Sequence, residues 1–271
     1  MKTFKNLTVV TIGMVVTAFG TLGSIFPVQA LTLSTSSGQV GSVDVATGVF
    51  TSFINNAPVF TDIAVNDSGQ LFGTTFSQLY SINQSPSSFT LIGDENVNDI
   101  NALGFANNNV LYATGFNSGF YSINASTSAA TLISDISGNQ SAGDIVFDPT
   151  INQFLATFTT PTDSTLFSIA LNGIATQIGS VGFSSVFGLG FDRGTLYGYT
   201  IDGKQLIINS TTGVGVFDKN VTGLSGSQIF GAASSISEAQ PVPEPMTLAG
   251  LVAVSFMAWP MKRKQKTSQS A

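Results

Sequence analysis

The 271-residue chain has no Cys and no His, and only 9% of its residues are charged. Without Cys there are no disulfides and no thiolate metal sites. Without His the imidazole base is missing, a Ser-His-Asp arrangement cannot be assembled, and zinc loses its commonest ligand. No metal site and no cofactor are expected, and any catalysis would fall to carboxylates, Lys or Tyr. Tryptophan is nearly absent: the one residue, Trp259, lies close to the C-terminus, so the indole platforms that stack on sugars are not available to the rest of the chain. Positive charge is scarce as well. Between Leu31 and Gln240 only Arg193, Lys204 and Lys219 stand against fourteen Asp and Glu, a net charge of −11. That field repels phosphate backbones and argues against nucleic acid as a partner.

What is present is Gly (28) and Phe (22), a composition that suits β-rich extracellular modules. The remaining basic residues sit at the two ends. Lys2 and Lys5 precede the largely apolar stretch Leu7 to Phe26, and Val28-Gln29-Ala30 supplies a small residue before a cut after Ala30. Residues 1–30 therefore read as a secretory signal peptide, handled by the secretion translocon. An uncleaved anchor is the competing reading, which Pro27 disfavours.

At the other end, Val242-Pro243-Glu244-Pro245 closes a linker at 237–245, and Met246 to Met261 follows as sixteen uncharged residues. As a helix that segment reaches about 24 Å, short of a comfortable span but enough for a thin bilayer if Lys262 and Arg263 reach into the interface. The basic tail 262–271, with Lys262, Arg263, Lys264 and Lys266, would stay on the cytoplasmic side and leave the acidic body outside. The two prolines fix φ and favour extended neighbours, so Val242 to Pro245 should stand as a rigid strip open to a protease.

This order of elements resembles the PEP-CTERM sorting signal of exported bacterial proteins. The resemblance covers about thirty residues, with Pro260 and a somewhat long final tail as departures. It implies processing by a membrane protease of the exosortase type that recognises Pro243, Glu244 and Pro245, with the basic cluster as the anchor. It also implies transient membrane attachment, delivery to the cell envelope or extracellular space, and an association with exopolysaccharide and biofilm.

The body repeats. Ile63-Ala64-Val65, Leu103-Gly104-Phe105, Ile145-Val146-Phe147, Leu189-Gly190-Phe191 and Ala232-Ala233-Ser234 align, with third positions 40, 42, 44 and 43 residues apart, near the period of a four-stranded propeller blade. Each unit continues through an Asn/Asp/Gly turn, a short strand such as Leu111-Tyr112-Ala113, an alternating strand such as Phe120-Tyr121-Ser122-Ile123-Asn124, and a final strand such as Ala130 to Ser134. Leu31 to Phe53 supplies only second, third and fourth strands, and Ile229 to Ser235 only a first. The expected fold is an all-β, five-bladed β-propeller over 31–236, one blade clasped from both termini, flanked by the signal peptide and a C-terminal membrane helix over 246–261. An open β-solenoid is the rival, but it has no use for complementary ends.

Asp62, Asn101 and Asp144 precede the aligned apolar positions and are the candidate channel-facing polar residues. Converging carboxylates could bind a cation or raise one another's pKa for acid chemistry; the plainer reading is structural. Asp67, Asn107, Asp148 and Asp192 suit the turns that follow first strands. Most Phe residues should pack between blades. The function expected is a non-enzymatic, cell-surface or matrix propeller. The alternative is a glycan hydrolase or lyase using a channel Asp pair, which needs two carboxylates about 5 to 10 Å apart in an open cleft and which a Phe-lined channel mouth would oppose. A permanently anchored adhesin is a third class.

Overall fold

The computed structural model describes residues 30–136, 138 and 140–234. The signal-peptide segment before Ala30, the linker with Val242 to Pro245, the apolar segment 246–261 and the basic residues Lys262, Arg263, Lys264 and Lys266 lie outside the described residues.

The chain forms twenty strands in five four-stranded antiparallel sheets, with no helix among the described residues. Three strands come first: β1 (Ala30–Thr35), β2 (Val40–Asp44) and β3 (Val49–Ile54). Four complete meanders follow. The first is β4 (Asp62–Val65), β5 (Leu71–Thr74), β6 (Gln78–Gln84) and β7 (Ser87–Asp94). The second is β8 (Ile100–Phe105), β9 (Leu111–Gly115), β10 (Gly119–Ile123) and β11 (Ala130–Asp135). The third is β12 (Ser141–Asp148), β13 (Gln153–Thr159), β14 (Ser164–Ala170) and β15 (Ala175–Ser180). The fourth is β16 (Val186–Asp192), β17 (Thr195–Thr200), β18 (Lys204–Ile208) and β19 (Gly215–Asn220). The last strand, β20 (Ile229–Ala233), pairs with β1 and completes a fifth sheet in the order β20-β1-β2-β3.

The inner strands β4, β8, β12, β16 and β20 pack side by side in a closed ring. The protein is a five-bladed propeller with the expected clasp: Leu33 faces Ala232 and Ser34 faces Gly231 across the β1–β20 ladder. Closure removes the free edges that both terminal strands would otherwise present.

Position in the blade explains the sequence of each strand. Inner strands are covered on both faces, and β8 and β12 are buried along their whole length, so they read as apolar runs broken by small residues. The small residues let neighbouring inner strands approach: a Cβ on Gly104 would sit 2.8 Å from the Ile145 carbonyl oxygen. Outer strands such as β11 and β15 have no fully buried position and share one order of half-buried and exposed residues, with Thr131, Thr176 and Gln177 exposed.

Between third and fourth strands every blade shifts register at the same place: Val40/Gly41, Leu79/Tyr80, Phe120/Tyr121, Leu166/Phe167 and Gln205/Leu206. A bulge there bends and twists each outer edge alike. Five apolar clusters fill the five wedges between blades. The largest holds Tyr112 and Phe120 of one blade against Phe147, Phe154, Phe158 and Phe167 of the next. Each fully buried large side chain among them contributes roughly 1.5–3 kcal/mol. Phe76, Phe89, Phe116 and Phe217 are exposed instead.

The turns are built as the repeat suggests. Asp44 accepts from the Ala46 and Thr47 amides, and Asn209 accepts from those of Thr211 and Thr212, ahead of Gly48 and Gly213 at φ of 72° and 80°. Asp148 likewise accepts from Thr150. In the two earlier blades the accepting side chains are Asn66 and Asn108 rather than Asp67 and Asn107, and Asp192 instead pairs with Arg193. The turn sets which side chain can reach back to an amide two residues on, and that position varies by up to two residues between blades.

Candidate functional site

The inner strands bring five equivalent amides to the propeller axis, those of Ile63, Leu103, Ile145, Leu189 and Ala232. No ladder partner is available to an amide that points into the channel, so an acceptor must be supplied there. Asp62 and Asp144 supply it. Asp62 accepts from Ile63 through Oδ1 at 2.7 Å and from Leu103 of the next blade through Oδ2 at 2.6 Å. Asp144 Oδ2 accepts from Leu189 at 2.5 Å and from Ala232, two blades away, at 3.1 Å, and the Ile145 amide also favours the Asp144 carboxylate. Two side chains thus tie the inner strands of all five blades.

Neither carboxyl is exposed. Burial pushes both well above the usual carboxylate range, and the charge on Asp144 pushes Asp62 further; the backbone amides pull the other way. Each carboxylate charge disfavours ionisation of the other. Gly231 is required beside them: a Cβ there would lie 2.3 Å from Asp62 Oδ1. Beyond the pair, the channel narrows to a cavity of about 20 Å³ lined by Val65, Phe105, Phe147 and Ser234. Among the described residues no group of three or more acidic side chains gathers to hold a metal ion.

Asn101 does not join the carboxylates. It stands two residues before Leu103, where Asp62 and Asp144 stand one before Ile63 and Ile145, and its Nδ2 donates to the Ser141 carbonyl at 3.1 Å. It lines a separate pocket of about 90 Å³ at the mouth of the channel, together with Thr61, Phe76, Phe116, Phe187 and Phe230. The Phe76 and Phe116 rings lie 5.7 Å apart. Neither sits on a strand. They occupy equivalent turns after the second strands of adjacent blades, a shared offset that the sequence shows but that strand periodicity passes over.

A third polar site was not legible as one. Glu95, in the connection before β8, is fully buried, and the Thr74 hydroxyl lies 3.0 and 3.1 Å from its two oxygens. The same hydroxyl contacts the Thr75 carbonyl. Toward Glu95 the hydroxyl is the donor, which favours the charged carboxylate. Burial raises the Glu95 pKa to about 8, against the pull of Thr74.

Neither a protein-family model nor a curated protein sequence matches the chain. Solved structures do share its fold. A chain in the crystal structure of a nidogen/laminin complex is 10% identical with a TM-score of 0.56, over 75% of this chain and 96% of that one. A structural genomics protein of unknown function from Bacteroides thetaiotaomicron VPI-5482 is 16% identical with a TM-score of 0.52 over 71% of this chain, which matches 56% of that chain's length. At these identities the likeness is one of fold.

Proposed function

We propose that the chain is an exported, non-enzymatic binding propeller that is sorted to the cell surface or extracellular matrix through its C-terminal signal and is associated there with exopolysaccharide. The observation that carries this reading is the ordered motif at the end of the sequence: Val242-Pro243-Glu244-Pro245, an uncharged segment over 246–261, and Lys262, Arg263, Lys264 and Lys266. Its partners are then the translocon, which takes the leader ending at Ala30, and an exosortase-type protease, with the membrane holding the chain between the two events.

Two features of the body support a binding role over the alternative glycosidase. A carboxylate catalyst must reach its substrate. Asp62 and Asp144 have no exposure, and both Asp62 oxygens and Asp144 Oδ2 accept from inner-strand amides. The mouth above them presents Phe rings instead of an acid and its partner base.

The test is the intact mass of the mature protein from its native host, for wild type and Glu244→Ala. The expected result is a wild type that ends near Pro243 to Pro245 and a variant that keeps its tail. Retention of Lys262 to Ala271 in both overturns the sorting reading and leaves a permanent anchor.

A further inference from the structure

One exposed position breaks the repeat. Where third and fourth strands pair near the end of each blade, Ser42 faces Thr51, Ser81 faces Thr90, Ser122 faces Thr131 and Ser168 faces Thr176. The fourth complete blade has Ile207 and Val216 there, 41% and 63% exposed. The core takes up neither side chain, so four blades keep hydroxyls toward water at this place and one puts aliphatic area there instead.

The exchange belongs to a wider patch. The turns that join first to second and third to fourth strands lie at the opposite end of each blade from the aromatic cup formed by Phe76, Phe116, Phe187 and Phe230. On that face Ile151 sits in the β12–β13 turn, Ile174 and Val214 directly precede β15 and β19, and Val49 opens β3; all four are exposed, Ile174 at 64%. The three blades concerned are neighbours in the ring. Charge divides the same way. The cup side exposes Asp94, Asp135 and Asp202, whereas in the turns of the patch Asp148 and Asp192 are buried and Asp44 is half-buried, held by the Ala46 and Thr47 amides. Arg193, paired with Asp192, is 55% exposed there.

The chain end says what covers this face. Ser234 follows β20 at the narrow end of the channel, on the same side as the patch, and its hydroxyl accepts from the Phe191 amide of the fourth complete blade. Gly190, next to Phe191, begins the cross-strand row that runs through Tyr197 and Ile207 to Val216. Eleven residues separate Ser234 from Met246, a reach of at most about 40 Å. We propose that this face is a bilayer-contacting surface, on which the propeller rests while 246–261 holds the chain to the membrane. The proposal rests on the reading of 246–261 as a membrane segment. Exposed aliphatic patches mark interaction sites, and a lipid interface takes up the β-branched side chains while headgroup phosphates meet Arg193. A second copy is the poorer occupant, because it sets one body of net charge −11 against another.

The chain has no Cys, so one introduced thiol carries an environment-sensitive fluorophore at a single place. The chain from Leu31 to its C-terminus, bearing Ile174→Cys, Val216→Cys or, on the cup side beside Thr61, the exposed Val59→Cys, would be placed in phosphatidylcholine nanodiscs. Each probe is quenched in turn by nitroxide-bearing lipid and by aqueous iodide. The expected result is loss of most fluorescence to the lipid quencher at 174 and 216, and to iodide at 59. Adding Ile151→Asp and Val214→Asp, both at exposed positions, should pass the 174 probe from the lipid quencher to iodide while the chain stays in the disc. Equal iodide quenching at 174, 216 and 59 shows a body that stands clear of the bilayer and overturns the proposal, as does indifference to the Asp pair. Shielding of 174 and 216 from both quenchers assigns a second copy and also overturns it. A chain that elutes apart from the discs overturns it at an earlier point, through the reading of 246–261.

Discussion

Glu95→Gln should change how the stability of the protein depends on pH. The carboxyl titrates at about 8 in the folded protein against an ordinary 4.5. Between those values the folded state holds a proton that the unfolded state has released. Stability from this group is therefore complete below pH 4.5 and is lost as pH rises toward 8. At about 1.36 kcal/mol per unit, a difference of 3.5 units amounts to about 5 kcal/mol. Gln keeps the shape and an acceptor for Thr74 but has no proton to lose. Urea unfolding of both proteins at several values from pH 4 to pH 9 isolates the effect, because the other titrating groups are common to both. The two should be close in stability near pH 4, with the variant ahead by several kcal/mol at pH 9. A difference between them that is flat across this range would refute the argument, by showing that the folded carboxyl reaches water and titrates normally.

Two further outcomes follow from the axis. Asp144→Ala strands the buried Leu189 and Ala232 amides and should cost about 4 kcal/mol, read as a fall in the urea midpoint at constant slope; Asp144→Asn, which keeps an acceptor, should cost less, and an unchanged midpoint in the Ala variant would contradict the assigned role. Gly231→Ala drives a methyl against Asp62 and should lift β20 from its place beside β1. The expected result is a loss of roughly 1–3 kcal/mol with concentration-dependent association on size exclusion, as the β1 edge becomes available.

Much of the architecture could be read from the chain because propeller blades repeat. A period of 40 to 44 residues, carried by triplets such as Leu103-Gly104-Phe105, fixes which segments occupy equivalent places. The likeness of Ala46-Thr47-Gly48 to Thr211-Thr212-Gly213 then identifies the N-terminal strands as a partial blade. The site was legible only in position. Asp62 and Asp144 could be placed near the axis, but their partners lie one and two blades away, and no local pattern records them. Asn101 lines the channel mouth but not the carboxylate pair, because it stands two residues before Leu103 whereas Asp62 and Asp144 stand one before Ile63 and Ile145. Glu95 gave no sign of its burial: it lies between Asp94 and Asn96 in a polar connection that looks solvated. Its pKa depends on desolvation by the packed blades, against the pull of a Thr from another strand, and neither is visible in the local sequence.

The polarity of the ring has a mechanical consequence. β20 begins beside the aromatic cup and ends at the narrow far end of the channel, and β1 runs antiparallel to it. Ala30 and Ser234, where the described chain starts and stops, therefore sit together on the face away from the cup. A pull applied through either end is borne by the β1–β20 ladder and passes into the ring at that face, leaving the mouth unloaded.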